Sequence, residues 1–424
     1  GQTSGQASGK SSTTSGQSGA AAEEIVLLGT GGAEGLPRPG CPCAACAAAL
    51  GRAARGATSV LVGPTLLLEA PPGVWGAAAR AGRTLTRVRT LLTGRAPAAS
   101  AAPGLPAPRT LTAGCAQLLP GGHRVRALAL DTPGAAVGYE VTSPGGHRLL
   151  YLPPGAALAA PEDLPPCTLC LLDVLGRPDA LAALRAAGTV TPATEVVAVH
   201  LDHQTPWPEA ERLLAAAGAT ALPDGAVLPT GGPRRGARPA PRRTLVLGGA
   251  RSGKSAEAER RLAAFPEVRY VATAGPRPGD AEWAARVAAH RARRPAGWTT
   301  VETCELEPLL RTPGPPLLID CLSLWLTEAM DRVGAWADRD WDAPDTPPGG
   351  ARAALAERTA ALVAAFRETP RTVVAVSNEV GSGVVPGTVA GRRFRDELGR
   401  LNAAVAAECD QVLLMTAGLA QRLR

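Results

Sequence analysis

Between Thr244 and Leu262 the chain reads TLVLGGARSGKSAEAERRL, and no other stretch limits the fold as tightly. Gly248-x-x-x-x-Gly253-Lys254-Ser255 has the spacing of a phosphate-binding loop. TLVL before it is a short buried-strand run, and KSAEAERRLAAF after it has the pattern of a helix. The order is what the chemistry needs. Small residues let the backbone N–H groups of Gly248, Gly249, Ala250, Arg251, Ser252 and Gly253 curl around phosphates, while the helix N-terminus adds its partial positive charge. Lys254 would reach the β and γ oxygens, and Ser255 would ligate Mg²⁺. Composition sharpens this reading. Of 44 Lys+Arg, only Lys10 and Lys254 are lysines, so the one lysine outside the N-terminal tail sits where a compact ammonium is wanted rather than a planar fork.

The 424 residues are enough for two or three domains, and a hydrophobic content of 45% supports packed cores. Residues 1–23 form a Gly/Ser/Gln/Thr-rich tail expected to be flexible, 24–228 alternate short apolar runs with turns, 229–242 are a Pro/Gly/Arg linker, and 243–424 alternate strand and helix patterns. The last pattern implies a mainly parallel sheet covered by helices. The net charge of +7 comes from scattered arginines without aromatic interleaving, which favours a solvated surface over a nucleic-acid partner. No run of about 18 apolar residues predicts a membrane span. The Gly-led N-terminus lacks the apolar core of a signal peptide. Nine cysteines, mostly in apolar segments, fit a reducing, cytoplasmic setting.

Beyond the phosphate loop, VRYVATAG is a strand ending in small residues. In DAEWAARVAAHRARRP, Trp283, Val287, Arg291 and Arg294 recur at helical spacing before Pro295 stops the helix. PPLLIDCLSLWLTE is an apolar run ending in Asp320, where a P-loop enzyme keeps a second Mg²⁺-directed carboxylate. Ligands of such sheets gather beyond the carboxyl ends of the strands, so Ala272–Ala274, Asp320 and Asn378–Gly381 are expected to face one crevice. No Asn-Lys-x-Asp stretch is present, which argues against a switch GTPase. His290, the only histidine after the linker, has Arg286, Arg291, Arg293 and Arg294 close in sequence. A lone helical histidine is more often an idle surface residue. Among arginines in a nucleotide-binding unit, however, a neutral imidazole is a competent nucleophile toward phosphorus.

Residues 243–424 resemble the bifunctional adenosylcobinamide kinase/adenosylcobinamide-phosphate guanylyltransferases of cobalamin (vitamin B12) biosynthesis. The resemblance rests on GGARSGKS, YVATAG, ARVAAHRARRPAGWTTVE, LLIDCLSLWLTE, SNEVGSGVVP and GRRFRDELGRLNAAVAAECDQVLLMTAGLAQRL, in the family order. It implies a RecA-like P-loop α/β fold, often trimeric, and hence a homo-oligomer. It also implies phosphorylation of adenosylcobinamide by ATP or GTP, then transfer of GMP from GTP through a guanylyl-histidine to give adenosylcobinamide-GDP. Carried over by position, His290 would be guanylylated. Lys254 and Ser255 would serve the phosphates and Mg²⁺, Asp320 the metal, and Ala272, Thr273, Ala274, Arg294 and Glu302 the nucleotide.

In the N-terminal half, IVLLGTGGAEGLPRPGCPCAAC carries Cys41, Cys43 and Cys46, three thiols that can form one face of a tetrahedral zinc site. VVAVHLDHQTPW adds His200 and His203. These stretches resemble metallo-β-lactamase-fold phosphodiesterases, which implies an αββα domain and a structural Zn²⁺ held by Cys41, Cys43, Cys46 and His203. The catalytic signature of that family, His-x-His-x-Asp-His, does not survive. Thr93 is followed by Gly94, Arg95, Ala96 and Pro97, Pro153 and Pro154 stand where a bridging aspartate is expected, and Asp131 occupies the region of another histidine. Only His200 remains of the catalytic set, and one imidazole cannot hold two metals. The expectation is a degenerate hydrolase with an inert centre. Cys167 and Cys170 fall in an apolar strand, where the pleat would point them to opposite faces.

The fold expected is therefore α/β: a P-loop RecA-like parallel sheet preceded by a degenerate metallo-β-lactamase-like αββα domain. Two other functions fit parts of the sequence. One is a kinase without guanylyl transfer, with His290 idle. The other is a zinc-stapled scaffold whose NTP site regulates assembly.

Overall fold

The computed structural model describes residues 23–95, 102–132, 134–230, 240–273, 281, 285, 288, 291–292, 294–337, 341 and 350–424. Tail residues 1–22, most of the linker, and Ala274, Trp283, Arg286, Val287, His290 and Arg293 lie outside them.

The described residues between Glu23 and Thr230 build two sheets. The first has five strands in the order β12-β1-β2-β3-β4, with β1 Glu24–Gly29, β2 Ser59–Val62, β3 Leu66–Leu68, β4 Thr90–Leu92 and β12 Ala226–Pro229. The second has seven in the order β11-β10-β9-β8-β7-β6-β5; β5 is Ala116–Leu118, β6 Arg124–Ala129, β7 Val137–Thr142, β8 Arg148–Tyr151, β9 Leu169–Leu172, β10 Glu195–Ala198 and β11 Thr220–Ala221. Period-two side chains place them face to face. Leu27, Val60 and Leu68 of one sheet meet Tyr139, Tyr151 and Leu171 of the other in a shared core. The opposite pleat of β1 and β2 (Val26, Leu28, Leu61) packs on α2, Val74–Arg80. The outer pleat of β9 and β10 (Cys170, Leu172, Val196, Ala198) packs under α3, Pro178–Ala186, and α4, Glu209–Ala216. The result is four layers, helix–sheet–sheet–helix, as expected. Glu23, counted with the tail from composition, is tied in: its carbonyl accepts from Thr230, and its carboxylate contacts the buried His123. Pairing also carries β12 to Pro229, one residue into the stretch read as linker.

The remaining strands form a seven-stranded sheet in the order β15-β14-β16-β17-β13-β18-β19, in which only the β18–β19 pair is antiparallel. Here β13 is Arg243–Gly248, β14 Val268–Ala272, β15 Trp298–Glu302, β16 Leu317–Asp320, β17 Val373–Asn378, β18 Gln411–Thr416 and β19 Leu419–Arg422. Leu245 and Leu247 of β13 face a core completed by α6 (Leu306–Arg311), α7 (Leu322–Arg332), α8 (Gly350–Glu368) and α9 (Val389–Glu408). Val246, between them, faces the other side, against Ala258 and Leu262 of α5, Lys254–Leu262. Helices thus cover both faces of a near-continuous apolar sheet, the arrangement that parallel strands require.

The two halves meet along α4 and α5. Arg260 pairs with Glu209 of α4 and with the fully buried Glu257 of its own helix, each at 2.7 Å. Arg185 of α3 donates to the carbonyls of Ala217 (2.6 Å) and Ala264 (2.9 Å) and lies over the Phe265 ring. Ala264, just past α5, is a member of the α3/α4 core. No helix among the described residues is long and apolar enough to cross a membrane.

Candidate functional site

The phosphate loop runs from the end of the central strand β13 into α5. Glycine is required at its start: a Cβ on Gly248 would lie 2.4 Å from Ser252 Oγ and 2.9 Å from the Met415 carbonyl oxygen. Gly253 has φ +94 and enters α5 in the left-handed region, a conformation that favours glycine. Arg251 also has positive φ, 58. Lys254 Nζ donates to the Gly249 carbonyl at 2.9 Å, folding its ammonium back over the loop. Ser252 Oγ is buried and finds no hydrogen-bond partner among the described residues. An orphaned hydroxyl inside a cradle of N–H groups, with an ammonium over it, fits a phosphate. Lys254 and Ser255 open α5 as the first-turn residues, so the helix N-terminus points at the same place.

Strand order brings the other predicted residues to this loop. β14, β16, β17 and β13 are consecutive neighbours, so their carboxyl ends (Ala272, Asp320, Asn378 and Gly248) line one edge. Thr273 Oγ1 donates to the Cys321 carbonyl at 2.6 Å and accepts from Cys321 N at 2.9 Å, joining the ends of β14 and β16. Asn378 Nδ2 donates to Ser323 Oγ at 2.8 Å, and Glu379 N to the Gly248 carbonyl at 3.1 Å, tying β17 to α7 and to the loop. Asp320 accepts from Tyr270 OH at 2.8 Å through Oδ2. With Ser255 and a phosphate, this carboxylate supplies the hard oxygen donors that Mg²⁺ takes. Glu302 ends β15 and pairs with Arg291 at 2.9 Å, both exposed. The Arg294 guanidinium lies 3.3 Å from the centroid of the Tyr270 ring, and its Nη1 donates to Thr300 Oγ1 at 2.9 Å.

Sequence reasoning passed over Tyr270 and Ser323. For Tyr270 a signal was present. Tyr270 and Ala272 share one pleat face, and Leu318 and Asp320 share the same face of the adjoining strand, with Tyr270 opposite Leu318. Asp320 is then the diagonal neighbour, within reach of a long aromatic side chain. Burial pushes the Tyr270 phenol far up, so it stays protonated as a donor.

At the other end of the molecule, Cys41, Cys43, Cys46 and His203 place their ligand atoms within 4.8 Å of one another. His203 Nδ1 stands 3.4 Å from both Cys41 Sγ and Cys43 Sγ. The five-residue helix α1, Ala44–Ala48, presents Cys43 as its N-cap, with Cys46 N donating to the Cys43 sulfur at 3.4 Å. That backbone donor, with His203 and Cys41, lowers the Cys43 thiol to about 6, toward the thiolate a metal needs. Three sulfurs and one imidazole at this spacing suit a closed tetrahedral zinc, whose ligands sit roughly 3.5–4 Å apart when Zn–S is about 2.3 Å. It is the only such cluster found among the described residues.

The region of the expected catalytic centre is packed instead. Gly94 N donates to Glu69 Oε1 at 2.7 Å, and the Tyr151 phenol reaches the same oxygen at 3.3 Å. A Cβ on Gly94 would come within 3.1 Å of Glu69, Pro153 and the Val137 carbonyl. His200 bonds the Leu152 carbonyl through Nε2 at 2.9 Å, and burial lowers its pKa to about 4. Asp131 is held by Arg177 at 2.7 Å and by the Ala157 amide. Cys167 and Cys170 correct the pleat expectation. Both free cysteines are buried in the α3/α4 core, because Cys167 lies before β9 begins at Leu169, where strand alternation does not apply.

Residues 244–423 match the family described as cobinamide kinase / cobinamide phosphate guanyltransferase. The bifunctional adenosylcobalamin biosynthesis protein CobP of Pseudomonas aeruginosa is 43% identical over 187 residues, which is 43% of this chain and 97% of that protein. The bifunctional adenosylcobalamin biosynthesis protein CobU of Salmonella typhimurium is 36% identical over 185 residues, 42% of this chain and 98% of that protein. Among solved structures, a diphosphatase of the PhnP family aligns at TM-score 0.39 and 18% identity, over 49% of this chain and 97% of that one. Zn²⁺-bound PqqB from Methylobacterium extorquens aligns at 0.37 and 17%, over 48% and 99%. Both are metallo-β-lactamase-fold proteins; the four-layer architecture described above rests on its own strand order and cores.

Proposed function

The chain belongs, through residues 244–423, to the cobinamide kinase/cobinamide phosphate guanyltransferase family, and on that premise we propose that it phosphorylates adenosylcobinamide with ATP or GTP and then guanylylates the product. The observation that carries this reading is the relatedness itself: 43% identity spanning 97% of a bifunctional relative, with the phosphate loop intact.

In the kinase step, the loop amides, Ser252 and Lys254 hold the triphosphate while the corrinoid hydroxyl attacks the γ-phosphorus and the β–γ bridging P–O bond breaks. Mg²⁺, when bound beside Ser255 and Asp320, would neutralise charge on the phosphate oxygens. In the transfer step, an imidazole nitrogen of His290 attacks the α-phosphorus of GTP. The α–β bridging bond breaks and pyrophosphate leaves with the electron pair. A phosphate oxygen of adenosylcobinamide phosphate then attacks the same phosphorus, the P–N bond breaks with its electron pair returning to the imidazole, and adenosylcobinamide-GDP leaves the histidine free. Arg291 and Arg294 flank that position in sequence, where guanidiniums can stabilise the departing pyrophosphate.

The partition into tail 1–23, sandwich 24–228, linker 229–242 and transferase 243–424 belongs to this reading, as do a homo-oligomeric state and a cytoplasmic site of action, the last supported by nine free cysteines. The N-terminal sandwich is proposed to carry one structural zinc and no hydrolytic activity, because Glu69 and His200 are engaged by internal partners and the exposed Asp131 is paired with Arg177. Zinc analysis of protein purified without chelator tests the first point, and cyclic phosphodiester hydrolysis with added Mn²⁺ tests the second. The function itself is tested by incubating the full chain with adenosylcobinamide, Mg²⁺ and GTP. Conversion first to the phosphate and then to the GDP ester is expected; nucleotide turnover indifferent to corrinoid would contradict it.

A further inference from the structure

We propose that Tyr270 is a positioning residue of the phosphate site, holding the metal-directed carboxylate of Asp320 with its hydroxyl and the guanidinium of Arg294 with its ring. The inference rests on the reading of Asp320 as cation-directed. Tyr270 is buried at 4% exposure between the two groups. Its hydroxyl donates to Asp320 Oδ2 at 2.8 Å, which restrains the carboxylate and leaves Oδ1 outside that bond. Its ring carries Arg294, with the guanidinium carbon 3.3 Å from the centroid. Arg294 is steadied on one side by Thr300 Oγ1, while its Nε is buried and has no hydrogen-bond partner among the described residues. A guanidinium stacked on a ring face, with an unused donor among the described residues, can receive an anion.

One aromatic ring thus sets the separation between a carboxylate suited to a divalent cation and a cation suited to a phosphate. Asp320 ends β16 on the edge that carries the phosphate loop, and Arg294 lies over the ring of the tyrosine that holds it. A cation·nucleotide complex carries both charges at a fixed spacing, so it gains from finding both partners already placed. The donor also withholds one carboxylate oxygen, which favours single-oxygen ligation of the small cation.

The test uses the full-length protein and Mn²⁺ as the probe, with binding followed by its electron-spin signal in the presence of GDP. Tyr270→Phe keeps the ring and its packing and removes only the hydroxyl. It is expected to weaken Mn²⁺ binding about 5- to 10-fold, leave GDP affinity in chelator unchanged, and melt near the wild-type temperature. Tyr270→Leu removes the platform as well and is expected to weaken GDP binding in chelator too. Wild-type Mn²⁺ affinity in Tyr270→Phe overturns the hydroxyl's role, and unchanged GDP affinity in a folded Tyr270→Leu overturns the ring's. Asp320→Asn separates the two levels of inference. If it binds Mn²⁺ as well as wild type, the cation-directed reading fails and the proposal with it. If it binds poorly while Tyr270→Phe binds normally, only the proposal fails.

Discussion

His200 is a buried histidine whose Nε2 is committed to the backbone of Leu152. Its backbone sits in the left-handed region at φ 61, its ring tilts against Tyr151, and Nε2 is bonded to the Leu152 carbonyl. Burial lowers its pKa from 6.5 to about 4. The unfolded chain therefore binds a proton that the folded one refuses between those values. The stability this contributes is complete above the unfolded pKa and is lost as pH falls toward the folded one. Between pH 6.5 and 5 the loss should be on the order of 1–2 kcal/mol. Asn at position 200 tolerates the left-handed backbone and can still donate to Leu152. Urea unfolding of His200→Asn should lack this part of the pH slope, and an identical slope in both proteins would show that the proton binds elsewhere. The sequence identified His200 as a surviving member of a lost set. What it did not disclose is that the vacated space is filled, because Glu69 and Gly94, which close it, are 25 residues apart in the chain.

Whole elements separate what is legible in sequence from what is not. The strand–loop–helix of β13 and α5 is local: glycine, lysine and serine positions alone specify it, and they lie where expected. Replacing Gly248 by Ala pushes a Cβ against Ser252 Oγ and the Met415 backbone. Equilibrium binding should show GDP affinity falling at least about tenfold, or 1.4 kcal/mol, with zinc content unaffected. Binding within a factor of two of wild type would mean that the loop accommodates a side chain. The Cys41–Cys46 cluster was legible for the same local reason, and His203 by resemblance. Contacts set by sheet register were not. Tyr270 meets Asp320 only because β14 and β16 are neighbours with Ala272 opposite Asp320, a pairing across 48 residues of sequence. Cys167 was misplaced because the strand starts two residues later than its apolar run.

At the scale of the molecule, the sandwich grips the phosphate-loop helix at the end opposite Lys254, through Arg185 on Ala264 and Glu209 on Arg260. Stabilisation by nucleotide, about 2.7 kcal/mol at a hundredfold excess over Kd, should therefore reach the zinc-bearing half. Calorimetry should show GDP raising the unfolding temperature of both halves in the wild type. In an Arg185→Ala, Glu209→Ala double variant it should raise that of the transferase half alone; equal shifts in both proteins would mean that the seam transmits nothing. Transfer of GMP from bound GTP to the protein before the corrinoid can be tested directly by chemistry. Full-length protein is incubated with α-labelled GTP and Mg²⁺, denatured, and divided between acid and alkali. The label is expected to survive alkali, to leave in acid as a P–N bond should, and to be absent from His290→Ala, which still phosphorylates adenosylcobinamide. Undiminished labelling of His290→Ala would contradict it.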